Sequence, residues 1–343
     1  MKKQIILATA LLASASLFAE ESFKVSGFVR AGLSSTFGED SKLSTKTWFP
    51  GVYFNGDSSS TRGRLNFAFN GSNETASYGA FLRLQYSGEA TGWNIGSVSY
   101  ANAFVNLFNN KLTVAAGKFS DNWIGSVGYE GYSVLDGNSG VVVAVKPIAG
   151  LTVAGAAVID NCKNEAGSYD LSSKAFFGGV SYSSDLISAA VSYAGWGTMA
   201  AGVSFGGVKN LGLSAECQIE TTEDVSSQRL VADECVEFTG VEGWTFALLS
   251  FQTLDSASVA ASDDFTFSVT PAVSYTLNDL ISFSLEGTWS QGVYDGASNG
   301  YATIVPAVTL SADKTASAKV WGLISTDSEQ TKSAAGVGVI KKF

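Results

Sequence analysis

Apolar and polar positions alternate along most of this chain. Ala103, Val105 and Leu107 interleave with Asn102, Phe104 and Asn106, and the alternation resumes after Asn109-Asn110 as Leu112, Val114 and Ala116. Folding at Asn109-Asn110 sets Leu107 opposite Leu112, Val105 opposite Val114 and Ala103 opposite Ala116. One face of the hairpin is then apolar, and the other carries Asn102, Asn106, Thr113 and Gly117. Asn suits the positive φ that a type I′ turn requires. Elsewhere Phe23, Val25, Val29, Ala31 and Leu33 interleave with Lys24, Ser26, Arg30 and Ser34, and Leu65, Phe67 and Phe69 with Arg64, Asn66 and Asn70. Ala80, Leu82, Leu84 and Tyr86 do so with Phe81, Arg83, Gln85 and Ser87. Around Ser184-Asp185 a second hairpin pairs Tyr182 with Ile187, Val180 with Ala189, Gly178 with Val191 and Phe176 with Tyr193. Further period-two segments are 150–160, 198–206, 209–220, 242–253, 264–277, 280–291, 300–311, 316–326 and 332–343. Period two is the mark of strands.

The connections alternate in length. Long ones at 35–61, 88–97, 119–139 and 161–173 are each followed by a short one, at 72–77, Asn109-Asn110, Pro147 to Ala149 and Ser184-Asp185; 291–299 is followed by Asp313 to Thr315. Segregation of loop lengths by parity is the pattern of an outer-membrane barrel, and a soluble sandwich has no reason for it. In such a barrel the apolar set points outward and the polar set lines the lumen. Aromatic residues near strand ends (Tyr86, Tyr100, Phe108, Tyr193, Trp196, Trp244, Phe265, Trp289, Tyr301 and Trp321) are candidates for interfacial girdles or for packing at strand ends.

The segment Asn102 to Phe119, with Gly117-Lys118 leading into a loop of about twenty residues without sustained period, resembles the fourth and fifth strands of Gram-negative general porins. The strand pattern, the leader and the terminal Phe343 extend the resemblance loosely over the chain. It implies an all-β fold: a transmembrane antiparallel β-barrel of 16 (16–18) strands, with the loop after Phe119 folded inward as a constriction. Counting 229–239 as a strand gives 18; omitting it with one neighbour gives 16. The resemblance implies a water-filled channel for passive diffusion of ions and small hydrophilic solutes. It also implies a homotrimer among outer-membrane lipids, inserted by the barrel assembly machinery that reads Phe343. Val339, Val337 and Ala335 step back from Phe343 by twos, while Lys341 departs from the family's apolar or aromatic pattern.

Met1–Ala19 reads as a cleaved signal peptide, with Lys2 and Lys3 before a short apolar core; residues 20–343 are then the barrel. Losing Lys2 and Lys3 takes the formal charge from −10 to −12. Such an acidic chain excludes a nucleic-acid partner, which needs clustered Lys and Arg. The chain has 45% hydrophobic and 15% charged residues with 37 glycines and 4 prolines, which suits an all-β protein rather than a disordered one.

The chain has no histidine, which removes Ser-His-Asp hydrolysis and almost every zinc site. Gly202-Val-Ser-Phe-Gly206 matches the nucleophile-elbow spacing but ends an alternating strand and lacks a base. No enzymatic activity, metal or cofactor is expected. Three cysteines remain. If 209–220 and 229–239 form a hairpin with its tip near Ser226, Cys217 and Cys235 lie opposite and a disulfide would leave Cys162 alone; three unpaired thiols is the competing reading.

Of the five arginines, Arg30, Arg62, Arg64 and Arg83 fall on the first three strands, all with lumen parity. The porin resemblance implies that they form a basic wall of the constriction, opposed by Asp121, Glu130 and Asp136 of the inward loop. The alternative function is a barrel acting mainly as surface adhesin or receptor through loops 35–61 and 221–240.

Overall fold

The computed structural model describes residues 22–38, 41–44, 47–54, 62–87, 97–119, 127–132, 134–135, 137–159, 175–221, 227–257, 264–294, 297–327 and 331–343. The expected signal segment lies outside them. Eighteen antiparallel strands close into one barrel: β1 (Ser22–Phe37), β2 (Arg62–Ser72), β3 (Ser77–Ser87), β4 (Ser97–Leu107), β5 (Leu112–Lys118), β6 (Ser139–Val145), β7 (Leu151–Val158), β8 (Phe176–Ser183), β9 (Ile187–Ala194), β10 (Thr198–Val208), β11 (Leu211–Thr221), β12 (Ser227–Phe238), β13 (Trp244–Ala257), β14 (Asp264–Asn278), β15 (Ile281–Tyr294), β16 (Ala297–Asp313), β17 (Ala316–Asp327) and β18 (Thr331–Lys342). A two-residue stub, Leu43–Ser44, pairs beside β1. The ring closes because β1 pairs with β2 through its first half and with β18 through its second, from Phe28↔Lys342 to Phe37↔Ser333. The count is 18 rather than 16, because 227–238 is a full strand paired on both sides.

The outward set is mainly the apolar one. On β1–β3 it runs through Phe23, Val25, Leu65, Phe67, Leu82 and Leu84, brought together by register pairs such as Val25↔Phe67 and Phe67↔Leu82. Tyr193, Trp244, Phe265 and Trp289 stand on this outer surface, and Trp244 stacks on Phe246 and packs against Tyr275 near the turn end, whereas Tyr301 shares the inward face with Val305 and Ala307. Tyr100 and Trp321 likewise point inward and Trp196 packs against a buried cluster, so these four leave the expected girdle.

Loop lengths alternate clearly through β8. From β13 to β16 the strands lengthen to 14–17 residues and absorb what reads in sequence as loop: Gln291↔Gly300 through Tyr294↔Ala297 are ladder pairs.

The Asn109-Asn110 hairpin has the expected register, with Phe108, Asn109 and Asn110 all at positive φ. The second hairpin closes one residue later than expected, pairing Tyr182 with Ala189 rather than Ile187. The cause is Ser184, whose hydroxyl oxygen accepts the Ile187 N–H at 3.2 Å while its own N–H donates to the Ile187 carbonyl at 2.8 Å, centring the turn on Asp185-Leu186. The faces are unchanged, because the slip is by an even count.

At the seam Phe343 exchanges two backbone hydrogen bonds with Gly27, at 2.8 and 3.0 Å. Lys341, the departure from the family pattern, reaches the turn below it, bonding Thr315 and lying 3.5 Å from Asp313.

Candidate functional site: two inward loops and an arginine wall

The interior is not uniformly polar. From β5 to β10 the inward positions are largely small or apolar: Ala115, Val142, Ala144, Ala154, Ala156, Val158, Phe177, Ala194 and Ala200 are all buried. They are covered by Phe119, Val134 and Leu135 of the 119–138 connection, which folds into the barrel and forms one apolar cluster with the wall. Burying apolar surface on both sides drives this docking. Gly202 on β10 permits it, since a side chain there would begin 1.9 Å from the Val127 carbonyl oxygen.

Polar anchors fix the loop. Glu216 on β11 accepts the backbone N–H of Gly131 at 2.6 Å and of Tyr132 at 2.9 Å. Charge-assisted bonds from two consecutive amides hold a loop at a fixed height. Tyr132 and Tyr129 are held protonated well above the usual phenol range, first by burial and then by nearby carboxylates. Glu130 also has its carboxyl raised, chiefly because the surrounding protein strips it of water and secondly by the charge of Glu216.

A second loop enters as well, which was not expected. In the first long connection, residues 47–54 lie inside rather than outside the barrel, with Trp48 and Phe49 buried against Val305, Ala307 and Trp321. Glu286 on β15 is 1% exposed and accepts three successive amides, from Val52, Tyr53 and Phe54. Lys319 on β17 donates to the Phe54 carbonyl at 2.6 Å and sits 4.1 Å from the centre of the Phe49 ring. The Trp321 indole N–H donates to the Trp48 carbonyl at 3.1 Å.

The two loops meet. Tyr53 and Tyr129 stack at 5.6 Å, and the Tyr129 hydroxyl donates to the Val52 carbonyl at 2.9 Å. Behind them Tyr53 bonds Glu237 of β12, and Tyr129 lies edge-on to Phe251 of β13.

The four arginines stand on β1–β3, where Arg30 is buried and Gly32 lies against the backbone of Thr47 and Trp48. Arg30 and Arg62 are direct register partners, Arg64 donates to Gln85 at 2.7 Å and Arg83 to Asn66 at 2.8 Å. Arg64 lies over Phe28 and Arg83 over Phe81 and Tyr100, at 4.8–5.3 Å. Like charges placed directly opposite are unfavourable, so Arg30↔Arg62 is no stability device. β11, which anchors the loop bearing Glu130, is half-way round the ring from β2. Asp121 and Asp136 lie outside the described residues. No cluster of metal-ligating side chains occurs among the described residues.

Cys217 and Cys235 are both free. Their hairpin pairs Cys217 with Ala232 and Ser214 with Cys235, an odd offset from the expected register, so one thiol points outward and the other inward. Cys162 lies outside the described residues.

Glu216, Glu286 and Lys319 escape a reading of the sequence because their partners are loop backbone groups remote along the chain. The one signal is their parity: each is a charge on the inward face of its strand.

No family model and no curated protein matches the chain. Solved structures do. The anion-selective porin from Comamonas acidovorans superposes with a TM-score of 0.58 at 10% identity, over 94% of this chain and 100% of that one. OmpT of Vibrio cholerae, in its trimer form, gives 0.57 at 10% identity over 95% and 100%. Salmonella typhi OmpF, solved with daunomycin, gives 0.55 at 12% identity over 94% and 97%. At such identities the likeness is one of fold, and the fold is that of the Gram-negative porins.

Proposed function

We propose that this chain is an outer-membrane channel through which ions and small hydrophilic solutes diffuse passively. The observation that carries the reading is the closed barrel whose outer surface is mainly apolar while one inner wall carries four arginines, Arg30 of them buried. An apolar outer belt suits lipid, and guanidinium groups lining a lumen suit water and charged solutes. The fold shared with porins, one of them titled anion-selective and another solved as a trimer, supports the same reading and a homotrimeric assembly. The passage runs between the arginine wall and the inner surface of the two docked loops, with Glu130 on the loop side. A cleaved signal and insertion by the barrel assembly machinery through Phe343 belong to this reading, as does the absence of enzymatic chemistry. The surface-receptor alternative is weakened, because residues 47–54 of its first contact loop are inside the lumen.

The experiment is a reversal potential across a planar bilayer under a salt gradient. Neutralising Arg64 and Arg83 together should shift selectivity towards cations, and the shift should shrink at high salt as the charges are screened. Conductance with an unchanged reversal potential would place the constriction away from these arginines.

A further inference from the structure

Beneath the first inward loop lies a cavity of about 820 Å³, which extends from Trp48 to the turns at 279–280 and 312–315. Its back wall is built from inward positions of β1, β18 and β17. Two glycines in register, Gly32 on β1 and Gly338 on β18, leave the space in which Trp48 is seated; a side chain on Gly338 would begin 2.3 Å from the indole. Lys319 pairs with Gly338 in the same row. One row nearer the turns, Ile340 stands between Arg30 and Ser317, and in the last row Phe28 faces Lys342. Arg30, Lys319 and Lys342 therefore surround Ile340 from three strands, and Arg62 adds a cation as the register partner of Arg30 on β2. Arg30 is 8% exposed and Lys319 7%, so both charges sit where the protein has displaced most of the water.

We infer that this cavity binds a small organic anion, a carboxylate carried on an apolar body. The cations select the head. Of the carboxylates nearby, Glu286 receives three loop amides, and Asp313 accepts the Thr315 N–H and hydroxyl at 2.6 Å each with Lys341 at 3.5 Å; Asp279 lies on a turn at the mouth. Like charges set side by side are unfavourable, and an anion seated among them relieves that cost. Its attraction is strongest where water is excluded, as around Arg30. A guanidinium suits a planar carboxylate, which it holds through two parallel N–H donors. Lys319 is committed to the Phe54 carbonyl and the Phe49 ring, so Arg30 and Lys342 are the residues assigned to the carboxylate. The rest of the lining selects the body, since Phe28, Trp48, Leu280 and Ile340 are apolar. Pockets for small molecules are typically about 300–1,000 Å³, mostly apolar with a few convergent polar groups. A bare inorganic ion would leave the apolar lining unused, and an uncharged molecule would leave the cations unanswered. The site is separate from the passage described above, and a barrel that did not conduct would still have it.

The test is isothermal titration calorimetry on the full chain in phosphatidylcholine nanodiscs, with the heat of empty nanodiscs subtracted and heat-dependent electrophoretic migration as the check of folding. Cyclohexanecarboxylate is the probe, beside cyclohexylmethanol for the body alone and acetate for the head alone. Wild type should bind one cyclohexanecarboxylate per chain, and each of the two partial probes roughly tenfold or more weakly. Arg30→Gln should weaken binding of the carboxylate by roughly tenfold, the loss of a charge-assisted pair. Leu280→Trp, which places an indole at the mouth, should abolish it, whereas Arg64→Gln on the neighbouring wall should change it by less than about twofold. If Arg30→Gln loses its folded migration, the exposed Lys342→Gln takes its place and should weaken binding in the same direction. Absence of binding to wild type overturns the proposal, as does an alcohol that binds as well as the carboxylate. Equal loss with Arg64→Gln also overturns it, because the anion would then sit on the passage wall. The measurement needs no conductance, so failure of this site and failure of the channel reading are separate results.

Discussion

At the scale of single residues, the lumen is organised by a few charges with backbone partners. Glu216 and Glu286 each receive consecutive amide N–H groups from a loop, so each carboxylate is hydrogen-bonded and made structural. A hydrogen bond to a charged group contributes about 1.5–3 kcal/mol, though not additively for three bonds to one carboxylate. Glu130 differs, because its charge has no described anchor and its carboxyl is raised by lost hydration and then by Glu216. For a carboxyl raised on folding, the contribution to loop docking is complete below its unfolded value, about 4.3. That contribution is lost as pH rises through the raised folded value. Acidification towards that window should therefore steady the loop and remove its negative charge. Single-channel noise should fall and selectivity should move towards anions at a pH above that at which an ordinary glutamate titrates. Glu130→Gln should abolish this pH dependence, and an unchanged profile in that variant would assign the titration to another group.

At the scale of elements, what was legible depended on whether turn chemistry was local. The Asn109-Asn110 hairpin reads correctly because two Asn residues sit where positive φ is needed. The Ser184 hairpin reads with the right faces and the wrong centre, because a serine hydroxyl moved the turn by one residue. The Cys217–Cys235 hairpin reads wrongly in parity, since nothing in 222–226 announces where that turn lies. The arginine wall was legible because lumen parity is a property of each strand alone. Docking of the first loop was not, although Trp48-Phe49 in a connection hints at a packed segment. Gly202 is the element-scale test: Gly202→Val puts a side chain where the Val127 carbonyl lies. The 119–138 loop should unseat from β10 while the barrel still folds, with a larger solute-size limit in liposome swelling. An unchanged limit would mean that the loop is not held there.

At the scale of the molecule, the alternation of sequence was enough to specify a closed barrel with an apolar exterior, and the strand count followed once 227–238 was paired. The interior needed more than alternation. Small residues on β5–β10 and inward charges on β11, β15 and β17 prepare seats for two loops, which meet through Tyr53 and Tyr129 and face the arginines. On the channel reading, these docked loops set the width of a water-filled passage. Single-channel conductance of wild type beside the Glu216→Ala/Glu286→Ala double variant tests it most directly. Wild type should conduct, and the folded variant should show a rise on the order of twofold with a larger solute cut-off, because both loops lose their anchors. A folded variant with wild-type conductance and cut-off would contradict it.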